Sequence, residues 1–341
     1  ARAYDKRNNT QAEKCMEVAR VSLDNQDYTN AAKIYQYVIK HYAQTPAYIN
    51  AQLGLMHTRE ARIKNSYPVA TDSVKTLIKD YKKFIRQYPA DNNAMEVMCN
   101  EALLFAYYLH QYDTAVQLLN KLLVQPRATG YLKSKAKLNL GDIYMIKEEP
   151  WESALLYAQV EKMQKENTLG YEAKLKNARL SYFRGNFSLA QAHLDILKEA
   201  TTREIANDAM QLSMLIKENI AADSSGTAIK HYARAELNLY QHKTAEALKI
   251  ISQLKEGRND SATFINQPIR DDAYWLEAGI RLKTGEFETA INLLQKINDE
   301  YADDVLADDA LFLQAEIYEK HMKQRDKAME LYRMFLDKYP G

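Results

Sequence analysis

One pattern constrains this chain more than any other. A small residue is followed 12 or 13 residues later by an alanine, usually with an aromatic three residues before that alanine. Ala19 leads to Ala31 with Tyr28, Ala102 to Ala115 with Tyr112, and Gly141 to Ala154 with Trp151. Ala178 leads to Ala190 with Phe187, and Ala278 to Ala290 with Phe287. Two more copies, Ala235 to Ala247 and Ala315 to Ala328, carry Thr244 and Arg325 in place of the aromatic. Two antiparallel helices approach closely only where a side chain shrinks to Gly or Ala, and an aromatic at the start of the second helix fills the gap. The spacing therefore predicts a string of helical hairpins. A weaker copy surrounds Gly54, where Tyr48–Gly54 reads as a first helix and Tyr81–Pro89 as the end of a second. Between them an insertion of about ten residues near 60–75 lengthens the turn and the second helix, with Pro68 suited to that helix's first turn.

A chain of 341 residues is too long for one ordinary core. A stacked array escapes that limit, because each unit buries its apolar face only against its neighbours. Punctuation agrees: Pro46, Pro89, Pro126 and Pro340 fall at the ends of units, and Pro68, Pro150 and Pro268 where helices start. Gly185 and Gly285 sit in turns within a hairpin, where a positive φ is often needed. From Ala115 onward the steps between units are 39, 36, 57, 43 and 38 residues. The longest step leaves room for an additional helix, Arg203 to Ala222, with Ile205, Ala209, Leu212, Leu215 and Ile216 on one face. The expected organisation is an N-terminal array over 1–202, an additional helix and loop over 203–225, and a C-terminal array over 226–341.

The spacing resembles that of the tetratricopeptide repeat: a small residue in the first helix, an aromatic opening the second, an alanine three residues on, then large apolar residues. Asn186–Leu197 and Glu286–Ile297 fit without gaps. The resemblance implies an all-α, right-handed α-α superhelix of about eight helical hairpins plus the one additional helix. Gln87-Tyr88-Pro89 and Lys338-Tyr339-Pro340 look like the repeat endings of bacterial envelope proteins of this class, and the stretch from Trp151 to Asp223 resembles exported, uncharacterised members. That likeness implies a periplasmic or outer-membrane-associated setting, with a cytoplasmic one still open.

Chemistry-bearing motifs are absent from the sequence. There is no phosphate-binding Gly-rich loop, no His-Glu-x-x-His, no nucleophile elbow and no Cys-x-x-Cys. No enzyme, cofactor or metal is expected. His231 and His242 share a unit but stand eleven residues apart. The pairs Asp271-Asp272, Asp303-Asp304 and Asp308-Asp309 precede the last helices, where carboxylates complement the helix dipole and cap free amides. Asn8-Asn9-Thr10, Asn186-Phe187-Ser188 and Asn259-Asp260-Ser261 are formal glycosylation triplets of a kind common by chance. Cys15 and Cys99 sit among apolar residues and read as buried free thiols. With 46 Lys and Arg against 45 Asp and Glu, no basic excess marks a nucleic-acid surface. No apolar run approaches the roughly 20 residues that span a bilayer.

The concave groove implied by the resemblance is the remaining candidate site. Carrying the groove-facing positions of the family onto this chain places Asp142, Arg179, Tyr182, Phe183, Glu236, Tyr240, Trp275 and Phe312 there, with Asp272 and Asp309 beside them. The family's clamp for a terminal carboxylate needs Lys, Asn and Arg at the central position. Here that position reads Arg20, Leu55, Leu103, Asp142, Arg179, Glu236, Gly279 and Glu316, which is not a clamp. Aromatic side chains flanked by mixed charge fit a protein or extended peptide. Trp275 and Phe312 could equally be packing between repeats, and Tyr182, Tyr240 and Arg179 are the better contacts. The alternative is a structural or oligomerisation module. No capping helix follows the last repeat, so either more chain or a second subunit is expected over its apolar face.

Overall fold

The computed structural model describes residues 1–8, 10, 12–165, 167–199, 202–257 and 268–339. Asn9, the triplet Asn259-Asp260-Ser261, Pro340 and Gly341 lie outside the described residues. Eighteen α-helices follow in order among the described residues, with one π turn, Ile317–His321, ahead of the last. They are α1 (Arg2–Asn8), α2 (Glu13–Asp24), α3 (Tyr28–His41), α4 (Ala47–Lys64), α5 (Thr71–Gln87), α6 (Asn92–Leu109), α7 (Tyr112–Leu123), α8 (Gly130–Ile146) and α9 (Pro150–Met163). Then come α10 (Thr168–Phe183), α11 (Phe187–Leu197), α12 (Arg203–Ala222), α13 (Thr227–Tyr240), α14 (Thr244–Glu256), α15 (Ile269–Thr284), α16 (Phe287–Glu300), α17 (Leu306–Glu316) and α18 (Arg325–Lys338). Neighbours in sequence pack as hairpins, α2 with α3 through α10 with α11, and α13 with α14 through α17 with α18. The fold is an all-α, tetratricopeptide-like array of eight hairpins with two unpaired helices, α1 and α12.

Two compact units divide the chain, residues 1–128 and 129–341. The expected divisions at 202/203 and 225/226 fall inside the second unit, on either side of α12. In the first unit, Cys15, Ala19, Ala31, Tyr35 and Val38 form the seam between α2 and α3. The buried Asp5 of α1 accepts from the amides of Lys14 (3.0 Å) and Cys15 (2.8 Å), so it caps α2 from outside that helix. The inserted residues mostly extend helices. α4 continues to Lys64 and α5 starts at Thr71, which leaves Pro68 in the connection rather than in the first turn of α5.

The small residues do what their spacing implies. Ala19, Ala31, Ala102, Ala115, Ala178, Ala190, Ala235, Ala247, Ala290 and Ala315 have no accessible surface. One copy is shifted by a residue. Ser153, not Ala154, is buried opposite Gly141, and its hydroxyl donates to the Gly141 carbonyl at 2.8 Å. Trp151 consequently does not plug the seam. It is 74 % exposed and lies 4.1 Å from the Arg184 guanidinium. Gly141 is needed for another reason: a Cβ there would stand 2.4 Å from the buried Tyr157 ring.

Seven hairpin turns share one closure. The residue two before each second helix is left-handed: Gln26, His110, Glu148, Gly185, His242, Gly285 and Lys323. The next amide donates to a carbonyl five residues back, as from Asn186 to Ser181 (2.9 Å) and from Glu286 to Arg281 (2.8 Å). This is a Schellman-type end, which satisfies helix carbonyls with backbone alone. In two hairpins the bond reaches six back, Gln111 to Phe105 and Gln324 to Tyr318, both at 2.9 Å. Those are the hairpins whose buried small residues stand 13 apart, Ala102–Ala115 and Ala315–Ala328, whereas Gly141 and its buried partner Ser153 stand 12 apart. The extra residue is absorbed as a wider last turn, which in the second case is the π turn at 317–321.

α12 buries Ile205, Ala209 and Ile216 into the core of α10, α11 and α13, with Leu212 and Leu215 half-buried beside them. Its face is the one the sequence pattern predicts. Gln191 of α11 donates to Ser213 at 2.7 Å across that contact.

Candidate functional site

The second unit carries a cleft of about 810 Å³ lined from α10, α12, α13, α15 and the start of α17. α10 enters through Asn167, whose side chain caps the amides of Leu169 and Gly170, and it presents Arg179, Tyr182 and Phe183 near its C-terminal end. α15 starts directly after Pro268, which sets Asp271, Asp272 and Trp275 on its first turns at the opposite wall. α12 closes a third side with Asp208, Leu212, Met214 and Glu218.

Five of the eight expected site residues meet in this cleft: Arg179, Tyr182, Phe183, Glu236 and Trp275. Asp142 and Tyr240 line an adjoining cavity of 340 Å³, which shares Arg179, Phe183 and Asp208 with the larger one. Phe312 is in neither. It is 41 % exposed and packs on Tyr332 and Phe335 of α18, with ring centroids 5.5 Å away in both cases.

Within the cleft the aromatics divide by burial. Tyr182 is 1 % exposed, wedged between Phe183 (5.6 Å) and Phe187 (5.9 Å), and its hydroxyl donates to Glu236 Oε2 at 2.6 Å. It is a core residue whose edge reaches the cleft. Trp275 is half-buried and keeps accessible surface on the cleft side of α15. Phe183 and Tyr240 contact each other at 6.4 Å, at the junction of the two cavities. Asp142 is similarly committed: it accepts from the Tyr157 hydroxyl at 2.7 Å and pairs with Lys176 at 2.9 Å.

Electrostatics separate this cleft from the rest of the chain. Its wall carries Asp208, Glu218, Glu236, Asp271, Asp272, Asp303, Asp304 and Asp309, eight carboxyls, against one cation among the described residues, Arg179. Arg179 already bridges Asp208 at 3.3 Å, a pair half-exposed on both sides and worth little. Burial, then the neighbouring Asp304 and Glu218, pushes the Asp271 carboxyl up to about 6. Burial also holds Asp272 well above its ordinary range, reinforced by Asp271, Glu236, Glu218 and Asp304. Glu236 is raised by burial, opposed by the Tyr182 hydrogen bond and Arg179. Asp309 is raised by burial and by Asp308. Burial is the leading cause at all four, and repulsion from other carboxyls of the same concavity adds to it at Asp271 and Asp272. The sequence marked the Asp pairs as acids at helix starts, which Asp271, Asp272, Asp308 and Asp309 are. Their convergence, and the contribution of α12, has no signature in local spacing.

The first unit has its own concavity of 700 Å³, where Arg20 and His57 stand with a single acid, Glu13. No group of three or more metal-ligating side chains occurs among the described residues, and no helix there is long and apolar enough to cross a membrane.

Residues 309–341 match the family model of the tetratricopeptide repeat, generally a protein-interaction module. No curated protein matches the chain. Among solved structures, a tetratricopeptide repeat protein from Parabacteroides merdae is similar, with 15% identity over 89% of this chain and 99% of that one, at a TM-score of 0.44. A monomeric mutant of IFIT1 with Gppp-AAAA is similar at 14% identity over 91% of this chain and 67% of that one, with a TM-score of 0.35. The tetratricopeptide domain of P58(IPK) is similar at 14% identity over 96% and 92%, with a TM-score of 0.30.

Proposed function

We propose that this chain is a non-catalytic interaction scaffold that holds an extended segment of another protein in the cleft of its second unit. The observation behind this reading is the cleft itself: 810 Å³, open, and flanked by the accessible Trp275, Phe183 and Met214. A concavity of that size with aromatic and thioether side chains suits a peptide chain. Among the described residues the cleft lining holds no Ser, Thr, Cys, His or Lys, which gives a catalytic reading no support there. Panning a random-peptide phage library on the whole chain tests the proposal. Selected peptides are expected to bind Trp275→Ala at least about tenfold more weakly, the behaviour of an aromatic anchor. They should bind Trp151→Ala, which alters an exposed aromatic outside the cleft, as they bind the wild type. Undiminished binding to Trp275→Ala would rule the cleft out as the site.

A second reading, self-association through the last hairpin, is favoured by the exposed Phe312, Met329, Met334 and Leu336. Met329 and Leu336 stand seven residues apart on one face of α18, and exposed apolar surface of this kind marks interaction sites. Light scattering on the wild type and on Met329→Glu/Leu336→Glu tests it, since a mass equal to the monomer for both excludes it. An envelope location belongs to the same proposal, supported by the likeness of the Tyr88-Pro89 ending, and fractionation of the native host decides it.

A further inference from the structure

We infer that the segment taken by the cleft is cationic, a stretch bearing Lys or Arg whose charged ends enter between α12 and α15 and whose stem lies on Trp275. The inference rests on the cleft being the binding site and adds its charge selectivity.

The wall has eight carboxyls and one described cation, while the whole chain balances 46 basic residues against 45 acidic ones. The asymmetry is therefore local rather than compositional. Asp271 sharpens it. The residue is 7 % exposed in the cleft wall, its carboxyl accepts from backbone amides at the start of its own helix, and among the described residues no cation pairs with it. A buried carboxylate is ordinarily matched by a counter-charge. Here the charged groups that act on Asp271 and Asp272 are further acids, among them Glu218 and Asp304 on both and Glu236 on Asp272. A cation supplied from outside would relieve several repulsions together, and the low-dielectric walls focus that field.

Trp275 follows Asp272 by three residues on α15, so the two share a helix face. An indole beside a carboxylate suits a Lys or Arg side chain, whose methylenes or guanidinium pack on the ring while the charge meets the acid. The carboxyls do not gather into a metal-binding group among the described residues, which favours an extended, multiply charged ligand over a single ion. A nucleic acid would be repelled by the same wall.

Fluorescence anisotropy on the whole chain tests this with three labelled peptides of about eight residues, long enough to reach roughly 26 Å extended. One alternates Lys with Ala, one Glu with Ala and one Ser with Ala. The Lys peptide is expected to bind at least about tenfold more tightly than the other two at low salt and to weaken as salt rises. Asp271→Asn/Asp272→Asn should cost it about tenfold or more, whereas Glu288→Gln on the outside of α16 should cost nothing. Trp275→Ala should weaken it, with Trp275→Phe intermediate and circular dichroism confirming the fold of each variant. If the Ser or Glu peptide binds as tightly as the Lys peptide and is lost with Trp275→Ala, the charge inference falls while the cleft remains the site. Equal binding of the Lys peptide by the Asn double variant also overturns it. Lys-peptide binding untouched by every cleft variant overturns the cleft reading as well, as does failure of all three peptides to bind.

Discussion

The Tyr182 hydroxyl donates to Glu236 Oε2 at 2.6 Å, joining α10 to α13 across 54 residues of chain and across the inserted helix α12. Tyr182→Phe keeps the ring against Phe183 and Phe187 but leaves a half-buried carboxyl without its donor. The expected loss is about 1–3 kcal/mol, the penalty of an unsatisfied buried acceptor. Glu236→Gln, which can still accept, should lose less. Urea denaturation of the three proteins checks the order, and equal midpoints for all three would remove the bond from the account.

Gly141 and Gly170 test close approach. In an exposed helix, Gly→Ala stabilises by about 1 kcal/mol. Here a Cβ on Gly141 meets the Tyr157 ring at 2.4 Å, and that ring is buried and tied to Asp142 through its hydroxyl. A Cβ on Gly170 meets the Gln164 carbonyl oxygen at 2.1 Å, which is backbone and cannot rotate away. Both alanine variants are expected to be destabilised, by about 1–3 kcal/mol from overpacking, with Gly170→Ala the worse. A higher melting temperature for either contradicts the packing described.

Asp271 predicts a pH dependence of stability. Burial raises its carboxyl from 3.8 to about 6 in the folded chain. Between those values the folded state binds more protons than the unfolded state, so this group's contribution to stability falls as pH rises through about 6. Asp271→Asn cannot ionise. Relative to wild type it should gain about 2–3 kcal/mol at pH 7.5, at 1.36 kcal/mol per pKa unit, and nothing below about pH 4. Chemical denaturation at several pH values reads this directly. A constant difference across the range refutes it.

The turns give a prediction of opposite sign at two matched sites. Gln26 is left-handed at φ 58° and exposed, and among the described residues its side chain has no hydrogen-bond or ion-pair partner. A non-glycine residue there costs about 1–2 kcal/mol, part of which glycine returns. Gln26→Gly is thus expected to stabilise by a few tenths to about 1 kcal/mol. Gly285, at φ 84°, should lose about 1 kcal/mol on Gly285→Ala. Thermal melts of the two variants should move in opposite directions.

The helical seam is legible in the sequence because its constraint is local and steric: only Gly, Ala or Ser fits where two backbones meet. The reading slipped at Ala154 because Ser153 is polar, and only the structure shows its hydroxyl satisfied by the Gly141 carbonyl. α12 was legible for a related reason, since five apolar residues on one face need a core to bury in. The cleft was legible in part. Positions on the first helix of each repeat bring Arg179, Glu236 and Trp275 together, but spacing does not tell Tyr182, which is buried, from Trp275, which keeps accessible surface. Nor does it show that Asp208 and Glu218 of α12 face Asp271 and Asp304, because that depends on where an unpaired helix lies between hairpins.

The backbone closure of the hairpin turns also bears on how such a chain can change. Because a left-handed residue and a main-chain bond end seven of the eight first helices, the turn asks for a backbone conformation rather than for a particular side-chain partner, and Gln, His, Glu, Gly and Lys all occupy it. The steric demand falls instead on the seam, where the alanines have almost no accessible surface, so units of common architecture can share only a few letters. Hairpins built to one plan can in this way come to differ widely in sequence.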